Sequence, residues 1–597
     1  SVSNYRHLTA KFQVNGRDNM SLRKTLGASA MTLALALGAN AAAQADDGLV
    51  RIATVPAGAE VAGIAINGLG ELFFNAQHPA GKATVKDNGP AAVIGYIAGM
   101  NINTYTGGDV AIPGKDDRGR VHVAQGEYIK LGTSGEMMGD GKQLGAVHDA
   151  TGKQMWVSND VDFNAFIPLS STEAYLYTAF EGAGRLGVSG VSQLKLKRSN
   201  GRWSTDLSQS KMLDLRPIGG GWVLCFGTIS PWGTPIMSEE YYFYNTGLWN
   251  HPNDHDDDER PGYKGGNDVN YHQPKKMDRY LGKTSNPYRY GYNIEMNNAA
   301  SANPTMVRHY AHGRFSHENV MIMADGKTLY QSDDDSAKYT NEKYNSNSGG
   351  VFFKFVADTA GDLSAGTLYA ASLKQDSGSD PYTTGFDVSW IELAHGNNAQ
   401  IGKWIDEYEG ISHKDYVEGQ TNFISDADVN NWAEGKSGKD LNGDGKVGSY
   451  KDNRPAFLES RKAAAALGAA NDWNKMEGVA ADGKAVYLAA SSITESMDAA
   501  WGDINWTSGI KDKTAKGQIA LDKEPCGAVY KGMLTADYDI KRLDPYVVGK
   551  FLGKKKGCDL NGIASPDNIL ATATGGLIIA EDAGKRQHPV DFLWLKK

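Results

Sequence analysis

The sequence predicts an all-β protein built as a β-propeller, and three observations support this prediction. The chain has 597 residues, of which 71 are Gly, a share typical of architectures with many tight turns. Hydrophobic residues make up 41% and aromatic residues 10%, which suits a large core and excludes a disordered chain. Short apolar segments recur between turn signals, and a propeller is built by such repetition around a central channel.

The predicted strands are short apolar or alternating segments. The clearest are residues 49–55, 174–179, 320–323, 350–356, 485–490 and 576–580. D-G or G-G turns at Asp325, Asp482 and Gly575 precede three apolar strands, although the spacing is too irregular for a WD40 or kelch array. A β-sandwich or several β domains is the alternative that this pattern leaves open.

One helix and two insertions complete the predicted domain. Residues 454–467 combine a Pro near the start, strong helix formers and a following Gly468, which predicts a helix. Two polar stretches, about 246–286 and 404–453, are expected to be loop insertions because neither has a core of its own. Residues 46–597 are therefore expected to form a single propeller domain.

The N-terminal region predicts export. Residues 20–45 begin at Met20, continue through an apolar run at 26–37 and end in Ala43-Gln-Ala45, the pattern of a secretory signal peptide. The run is too short to span a bilayer, and no later segment is apolar enough, so we expect no membrane span. Residues 1–19 are expected to be an upstream segment, and the mature protein to be periplasmic or extracellular. A buried core helix is the alternative for the apolar run.

Charge and cysteine content narrow the function classes. The 61 Lys and Arg against 70 Asp and Glu give a net charge of -9, which disfavours nucleic acid as a partner and suits the binding of cations. Three Cys residues cannot form a Cys-rich zinc site. Cys526 and Cys558 flank a hairpin-like region of an exported chain, which predicts a disulfide between them and a buried, free Cys225.

Acidic residues recur at the edges of predicted strands. They are Glu239 with Glu240, Glu318 beside His317, Glu477, Asp567, and the pair Glu581 and Asp582. Each alone is typical of a solvated turn, and only one of Glu239 and Glu240 can face a given centre on a strand. A propeller brings the same edge of every sheet to one channel, where converging carboxylates repel unless cations neutralise them.

Four motifs in order resemble the PhoX alkaline phosphatase family. They are Pro231-Trp-Gly-Thr with the following Ser238-Glu-Glu, Gly313-Arg-Phe-Ser-His-Glu, Asn474-Lys-Met-Glu-Gly and Ser565-Pro-Asp-Asn. The resemblance runs from about residue 50 to the C-terminus. It implies a six-bladed β-propeller with helical and loop insertions, Ca²⁺ and Fe³⁺ in the central channel, and hydrolysis of small phosphate esters at alkaline pH.

The resemblance also assigns roles to residues. Glu239 or Glu240, Glu318 and Glu477 match the family's metal-binding carboxylates, while Asp567, Glu581 and Asp582 match positions near its calcium ions. Lys475 stands where the family has an Arg that contacts phosphate. Lys475 and Asn474 are thus expected to bind substrate, and Lys475 and Glu477 to act in catalysis by a metal-activated water or oxo species.

Ser238 departs from the family pattern. Characterised members carry a Cys immediately before the two Glu residues, and its thiolate is an iron ligand. A neutral hydroxyl is a poor substitute for a soft anionic ligand, which counts against iron and leaves calcium, with its preference for oxygen, unaffected.

A second calcium loop is predicted at Asp440, Asn442 and Asp444. These residues and Gly445 match the start of an EF-hand loop. Position 12 is Lys451 rather than Glu, with Asp452 next to it as a substitute ligand. A solvated Asp/Gly turn is the alternative.

The sequence as a whole indicates an exported, calcium-dependent metallophosphatase, expected to be a monomer. The alternative from another class is a non-catalytic, calcium-stabilised propeller that acts as a surface or binding protein. A lactonase-like propeller hydrolase would share the Glu-Gly and Asp-Asn motifs, but it does not account for the motifs at Pro231 and Gly313.

Overall fold

The structure is a computed structural model of the chain. It describes residues 48–85, 89–182, 187–240, 274–334, 349–411, 423–504, 511–512 and 516–597. Residues 1–19, the predicted signal peptide at 20–45 and much of the stretch at 246–286 lie outside the described residues. Gly48–Lys597 is one compact unit.

The prediction of an all-β protein is confirmed. Strands hold 43% of the residues and helices 13%, in a propeller-like arrangement of antiparallel sheets. The six clearest predicted strand segments all overlap observed strands, and residues 485–490 match Ala485–Ala490 at both ends.

Three sheets follow one another along the chain. The first contains Glu60–Ile66, Leu72–Gln77, Val93–Ala98 and Glu127–Thr133. The second contains Val161–Pro168, Glu173–Phe180, Val188–Ser199 and Arg202–Met212, with Gly221–Trp222 beside its third strand. The third contains Leu224–Ile229, Pro235–Glu239, Asn293–Asn297 and Thr305–His309.

A nine-stranded sheet comes next. Its strands, in spatial order, are His317–Ile322, Thr328–Asp333, Phe353–Thr359, Asp362–Gln375, Phe386–Asn397, Arg542–Val548, Ala528–Met533, Ala485–Ala490 and Met476–Ala481. The two halves of this sheet meet through two residue pairs, Phe386 with Leu543 and Asp387 with Arg542.

The last sheet joins the two ends of the described chain. Its strands, in order, are Pro566–Ala571, Leu577–Glu581, Phe592–Lys596, Leu49–Thr54 and His122–Val123. The strand Leu49–Thr54 pairs antiparallel with Phe592–Lys596. Two short ladders, Ala146–His148 with Gln154–Val157 and Asp503–Ile504 with Lys511–Asp512, lie outside these sheets.

The first strands of the sheets and half-sheets contact one another in a closed ring. In order around the ring they are Glu60–Ile66, Val161–Pro168, Leu224–Ile229, His317–Ile322, Met476–Ala481 and Pro566–Ala571, and the last contacts the first. Because the first strands are innermost, side chains at their leading ends converge.

Helices lie between the strands. Those of the described residues are Pro274–Leu281, Asn398–Asp406, Asp426–Ser437, Arg454–Leu458 and Ser460–Ala466. The helix predicted over 454–467 is observed as two consecutive helices, because Glu459 interrupts it with φ -132° and ψ 49°. The buried Glu459 carboxylate instead accepts a hydrogen bond from Tyr288 (2.9 Å) and lies 3.9 Å from Arg314.

The stretch at 404–453 packs on the sheets. Val429 and Trp432, from the helix Asp426–Ser437, belong to the same core cluster as Leu368 of the nine-stranded sheet. Its described part therefore shares the core of the sheets. Within the described residues, no helix combines the length and the apolar character needed to cross a membrane.

Candidate metal centre

A β-bulge occurs at the same place in every first strand. In each case two residues of the first strand oppose one residue of the second, as in the shift between His317 and Val320, which leaves Glu318 and Asn319 opposite a single residue. The residues at the leading position of these bulges are Gly63, Asp162, Cys225, Glu318, Glu477 and Asp567. A bulge redirects side chains, and here five of the six carry a metal-ligating group.

Carboxylates that follow the second strands join these residues. Glu181, Glu240, Asp334 and Asp582 each come directly after a second strand. Together with Glu60 they complete five groups whose ligand atoms lie within 4.8 Å of one another. The groups are Asp162, Cys225 and Glu318; Glu181, Cys225 and Glu240; Glu240, Glu318 and Asp334; Glu318, Glu477 and Asp567; and Glu60, Asp567 and Asp582.

These ten residues form one acidic cluster, since the groups share members. Glu318 belongs to three groups and Asp567 to two. Glu240, Glu318 and Glu477 are 6%, 3% and 2% exposed, so their charges have little solvent to screen them.

Burial and mutual repulsion raise the pKa values of the cluster. Burial is the larger cause for Glu318, whose pKa lies well above its usual value, and the Glu477 carboxylate adds to it. Burial and Asp334 act in the same way on the pKa of Glu240. The pKa of Asp567 rises to about 7 through burial and the Asp582 carboxylate. These carboxyl groups are therefore costly to ionise together without added cations.

The ligand atoms of the acidic cluster are carboxylate oxygens, which suit hard cations, and one cysteine sulfur, which suits a softer metal. Carboxylate oxygens in groups of three suit Ca²⁺, which takes six to eight oxygen ligands. The buried Asp162 Oδ1 accepts no hydrogen bond from the described residues, so it has a lone pair available. Cys225 adds a sulfur donor of the kind that iron accepts.

Lys475 lies against two carboxylates of the acidic cluster. Its Nζ lies 2.7 Å from Asp334 Oδ2 and 2.8 Å from Glu477 Oε1, and its side chain is 34% exposed. Burial lowers the pKa of Lys475, but Asp334 and Glu477 outweigh burial and leave the pKa well above its usual value. The residue has φ 53°, a left-handed conformation that is uncommon outside Gly and often marks functional sites.

Hydrogen bonds hold Glu477 and the neighbouring Asn474 in place. Its Oε1 accepts a hydrogen bond from Ser491 Oγ (2.9 Å), and Ser491 Oγ also lies 3.2 Å from the Pro566 carbonyl oxygen. The neighbouring Asn474 donates through Nδ2 to Ser492 Oγ (2.7 Å) and Thr494 Oγ1 (2.8 Å). The Asn474 amide donor is thus already used by the protein.

The acidic doublets place their two members in different surroundings. Glu239 is fully buried and accepts hydrogen bonds from Arg308 at 2.7 and 3.0 Å and from the Gly291 and Tyr292 backbone. Glu581 accepts hydrogen bonds from Trp594 Nε1 (2.7 Å) and the Phe592 backbone (3.0 Å).

The second member of each doublet faces the acidic cluster. Glu240 and Asp582 belong to it, whereas Glu239 and Glu581 do not. Glu581 also lies 2.9 Å from His588 Nδ1. We therefore leave Glu239 and Glu581 out of the proposed ligand set, although the sequence favoured both.

Cys225 occupies the place that the sequence assigned to residue 238. Ser238 is fully buried, and its Oγ donates to Asn293 Oδ1 (3.2 Å), outside the candidate groups. Cys225 is free and buried, as predicted, and its Sγ donates to Glu240 Oε2 (2.9 Å). Cys225 lies in the bulge directly opposite Ser238, so a sulfur is present in the cluster despite the serine.

Sequence reasoning missed five members of the acidic cluster: Glu60, Asp162, Glu181, Cys225 and Asp334. Asp334 follows Asp333 in a third acidic doublet, whose first member receives a hydrogen bond from Arg461 Nε (2.8 Å). The doublet pattern at Glu239 and Glu581 could therefore have found it. Glu60, Asp162 and Glu181 stand in segments without a distinctive motif.

The loop at Asp440 forms a self-contained turn. Asp440 accepts hydrogen bonds from the Gly443 and Gly445 backbone at 2.7 and 2.8 Å, and the buried Glu434 accepts them from Leu441 and Asn442. Asp444 accepts one from the Lys446 backbone (2.8 Å). The substitute ligand Asp452 instead pairs with Arg454 at 2.8 Å.

The predicted disulfide is confirmed. Cys526 and Cys558 are bonded, with a Cα–Cα distance of 6.0 Å and a sequence separation of 32. Both residues are buried.

Comparisons with known proteins bear on the region that contains most of the acidic cluster. A family model described as "Alkaline phosphatase PhoX" matches residues 204–593, about two thirds of the chain. A search of curated proteins finds no match. Among solved structures, a crystal structure of glucose dehydrogenase aligns with 92% of this chain and 99% of its own at 8% identity. Its TM-score of 0.33 is too low to bear on fold or function.

Proposed function

Because this chain belongs to the PhoX alkaline phosphatase family, we propose that it is a metal-dependent phosphatase whose site is the acidic cluster. The observation that carries the proposal is the convergence of buried carboxylates from different sheets around Glu318. Such a convergence is costly unless cations bind there. The substrates are small phosphate esters, and calcium is the principal metal.

The ligand set that we propose is Asp162, Cys225, Glu240, Glu318, Glu477, Asp567 and Asp582, with Glu60, Glu181 and Asp334 around it. The groups without sulfur suit calcium. Cys225 provides the sulfur that iron would need, so Ser238 no longer argues against iron. When bound, such metals clamp phosphoryl oxygens and lower the pKa of a coordinated water.

Lys475 has the position and the exposure to bind the phosphoryl group. Its Nζ is held between Asp334 and Glu477, while a third of the side chain remains accessible to a ligand. The Asp334 and Glu477 carboxylates beside Nζ raise the pKa of Lys475 and so favour its charged form. We therefore propose that Lys475 stabilises the negative charge that develops on the equatorial oxygens of the phosphoryl group. Glu477 binds metal and orients Lys475.

We further propose that the propeller has six blades and that the protein is exported. The ring of six first strands supports six blades if the two halves of the nine-stranded sheet count separately. The Cys526–Cys558 disulfide supports an oxidising compartment, in line with the signal peptide expected at residues 20–45.

Elemental analysis combined with p-nitrophenyl phosphate turnover tests the function. The wild type should contain calcium and turn over the ester at alkaline pH, and chelation should abolish turnover. Glu477→Gln keeps the volume of the side chain and removes one carboxylate, so it should lower metal content and reduce kcat/KM by about 100-fold or more.

Asp116→Asn is the matched control, because Asp116 is an exposed carboxylate outside both the acidic cluster and the predicted calcium loop. If turnover of p-nitrophenyl phosphate persisted both after chelation and in Glu477→Gln, the proposal of a metal-dependent phosphatase would be refuted. Bound calcium without turnover of any phosphate ester would favour the non-catalytic, calcium-stabilised binding protein.

A further inference from the structure

A short hairpin at residues 550–560 concentrates positive charge and exposed apolar surface. It carries Lys550, Lys554, Lys555 and Lys556, the last three in succession at its tip. Phe551, Leu552 and Leu560 are 37%, 41% and 41% exposed. These three account for three of the eleven large hydrophobic side chains that are exposed among the described residues. We call residues 550–560 the basic hairpin.

The basic hairpin is firmly attached to the protein. The Leu552 backbone N–H donates to the Gly557 carbonyl (2.8 Å), which closes its tip. The disulfide to Cys526 anchors Cys558, and the Phe551 N–H donates to Glu524 Oε2 (3.2 Å). Its exposed side chains are therefore presented on a fixed support.

A second basic turn lies against the hairpin. The Cys558 N–H donates to the Gln587 carbonyl (3.0 Å), and the Asp559 carbonyl lies 3.1 Å from His588 Nε2. These contacts bring the exposed Lys585 and Arg586 alongside the four lysines.

None of these six cationic side chains forms an ion pair within the part of the chain that the structure describes. Unpaired lysines beside exposed Phe and Leu form a surface that is electrostatically and hydrophobically complementary to an anionic lipid interface.

We propose that the basic hairpin docks this protein onto an anionic phospholipid surface. The lysines and Arg586 attract the head groups, and Phe551, Leu552 and Leu560 enter the boundary between head groups and acyl chains. The protein then lies on the membrane without crossing it. This role is separate from phosphate-ester hydrolysis and places the enzyme beside a lipid surface. A soluble polyanion is the competing ligand, but it would not require the apolar side chains.

Vesicle co-sedimentation of the purified full-length protein tests the docking. Vesicles containing phosphatidylglycerol should bind the protein, pure phosphatidylcholine vesicles should not, and high salt should weaken the binding. The triple variant Lys554→Glu, Lys555→Glu, Lys556→Glu should bind at least 100-fold more weakly, since each lysine near such a surface contributes roughly fivefold, or about 1 kcal/mol.

The matched control changes three exposed lysines elsewhere to Glu, at Lys436, Lys439 and Lys446, and so alters net charge equally. It should still bind, and both triple variants should keep the wild-type turnover of p-nitrophenyl phosphate. Phe551→Ser with Leu552→Ser should weaken vesicle binding without changing the net charge.

Equal losses of vesicle binding in the two triple variants would refute the proposal. So would binding of heparin or DNA that is tighter than vesicle binding and unaffected by the Phe551 and Leu552 changes, since the partner would then be a soluble polyanion.

Discussion

Adjacent residues of this protein have opposite electrostatic environments. Glu239 is neutralised by Arg308, whereas Glu240 lies among Asp334, Glu181 and the Cys225 thiol. Alternation along a strand explains the division, because consecutive side chains point to opposite faces. The first residue of a doublet therefore contributes to the interior of its sheet, and the second can contribute to a metal site.

A matched pair of substitutions tests this division. Glu239→Gln should lower the free energy of unfolding by about 3–5 kcal/mol, because it leaves the buried Arg308 guanidinium without its carboxylate. Glu240→Gln should leave the stability of the metal-free protein unchanged or higher, because it removes a repelling charge, and should lower metal content. Urea denaturation and elemental analysis separate the two effects. The reverse order of stabilities would contradict the assignment.

Lys475 offers a second test at the level of one residue. Lys475→Gln should reduce kcat/KM by about 100- to 1,000-fold while metal stays bound, since it removes the ammonium that binds the phosphoryl group and leaves every proposed metal ligand in place. Lys475→Arg should retain activity and bind inorganic phosphate more tightly, because a guanidinium can form two parallel hydrogen bonds. Steady-state kinetics with phosphate as inhibitor measures both. An uncharged variant as active as the wild type would exclude this role.

The sequence could predict about half of the acidic cluster, because only those residues stand in short sequence motifs. Glu240, Glu318, Glu477, Asp567 and Asp582 stand in recognisable motifs, and all five lie in the cluster. Glu60 and Asp162 reach it through the ring of first strands, and Glu181 from the end of a second strand. No short motif encodes these long-range contacts. Cys225 was predicted to be buried and free, but its proximity to Glu240 depends on a bulge that the sequence does not mark.

At the level of elements, the β-bulges determine where chemistry is possible. Each first strand gains one extra residue at its bulge, and in five of the six strands the leading residue of the bulge carries a metal-ligating group. The strand keeps its regular pairing on either side of the bulge. Such insertions are frequent beside functional sites, and here they recur in all six first strands.

Strands were easier to predict than helices in this chain. Apolar runs such as residues 485–490 match their strands closely because burial on both faces leaves little ambiguity. The predicted helix at 454–467 has the right residues but is interrupted at Glu459, where Tyr288 and Arg314 bind the side chain. Local propensity did not anticipate this tertiary contact.

The pair of His588 and Glu581 makes the C-terminal sheet sensitive to pH. Burial lowers the pKa of His588, but the Glu581 carboxylate outweighs burial and leaves the pKa above its usual value of 6.5. Because the pKa of His588 is higher in the folded state than in the unfolded state, the pair stabilises the folded protein. This stabilisation is complete below about pH 6.5 and is lost as the pH rises through the folded-state pKa of His588.

The wild type should accordingly lose stability above pH 6.5, by at most about 1.4 kcal/mol per pH unit from this pair. His588→Asn should be less stable at pH 6 and should lack this part of the pH dependence. Chemical denaturation between pH 6 and 9, with metal concentration held constant, provides the measurement. An identical pH slope in the variant would show that the pair does not titrate in this range.

At the level of the whole molecule, the acidic cluster joins sheets that are distant in sequence. Asp162, Glu318 and Asp567 come from three different sheets, and their groups overlap. Metal ions bound there would hold the ring of first strands together, and their loss would leave buried carboxylates facing one another.

Chelation should therefore lower the thermal stability of the protein. Ligand linkage gives about 2.7 kcal/mol of stabilisation when free metal is 100-fold above its Kd. Glu318→Gln, which affects three of the five groups, should reduce the shift in Tm that chelation causes. Asp116→Asn, which changes an exposed carboxylate outside the acidic cluster, should show the full wild-type shift. Differential scanning calorimetry with and without chelator measures these shifts, and a Tm that is indifferent to chelator in the wild type would disprove the linkage.

The pairing of Leu49–Thr54 with Phe592–Lys596 sets the order of events during biosynthesis. Leu49–Thr54 is made long before Phe592–Lys596, so until then it can pair only with His122–Val123, through Ala53 and Thr54, while its other edge stays unpaired. Truncation after residue 590 would remove the partner of Leu49–Thr54 along most of its length and leave only its two-residue pairing with His122–Val123.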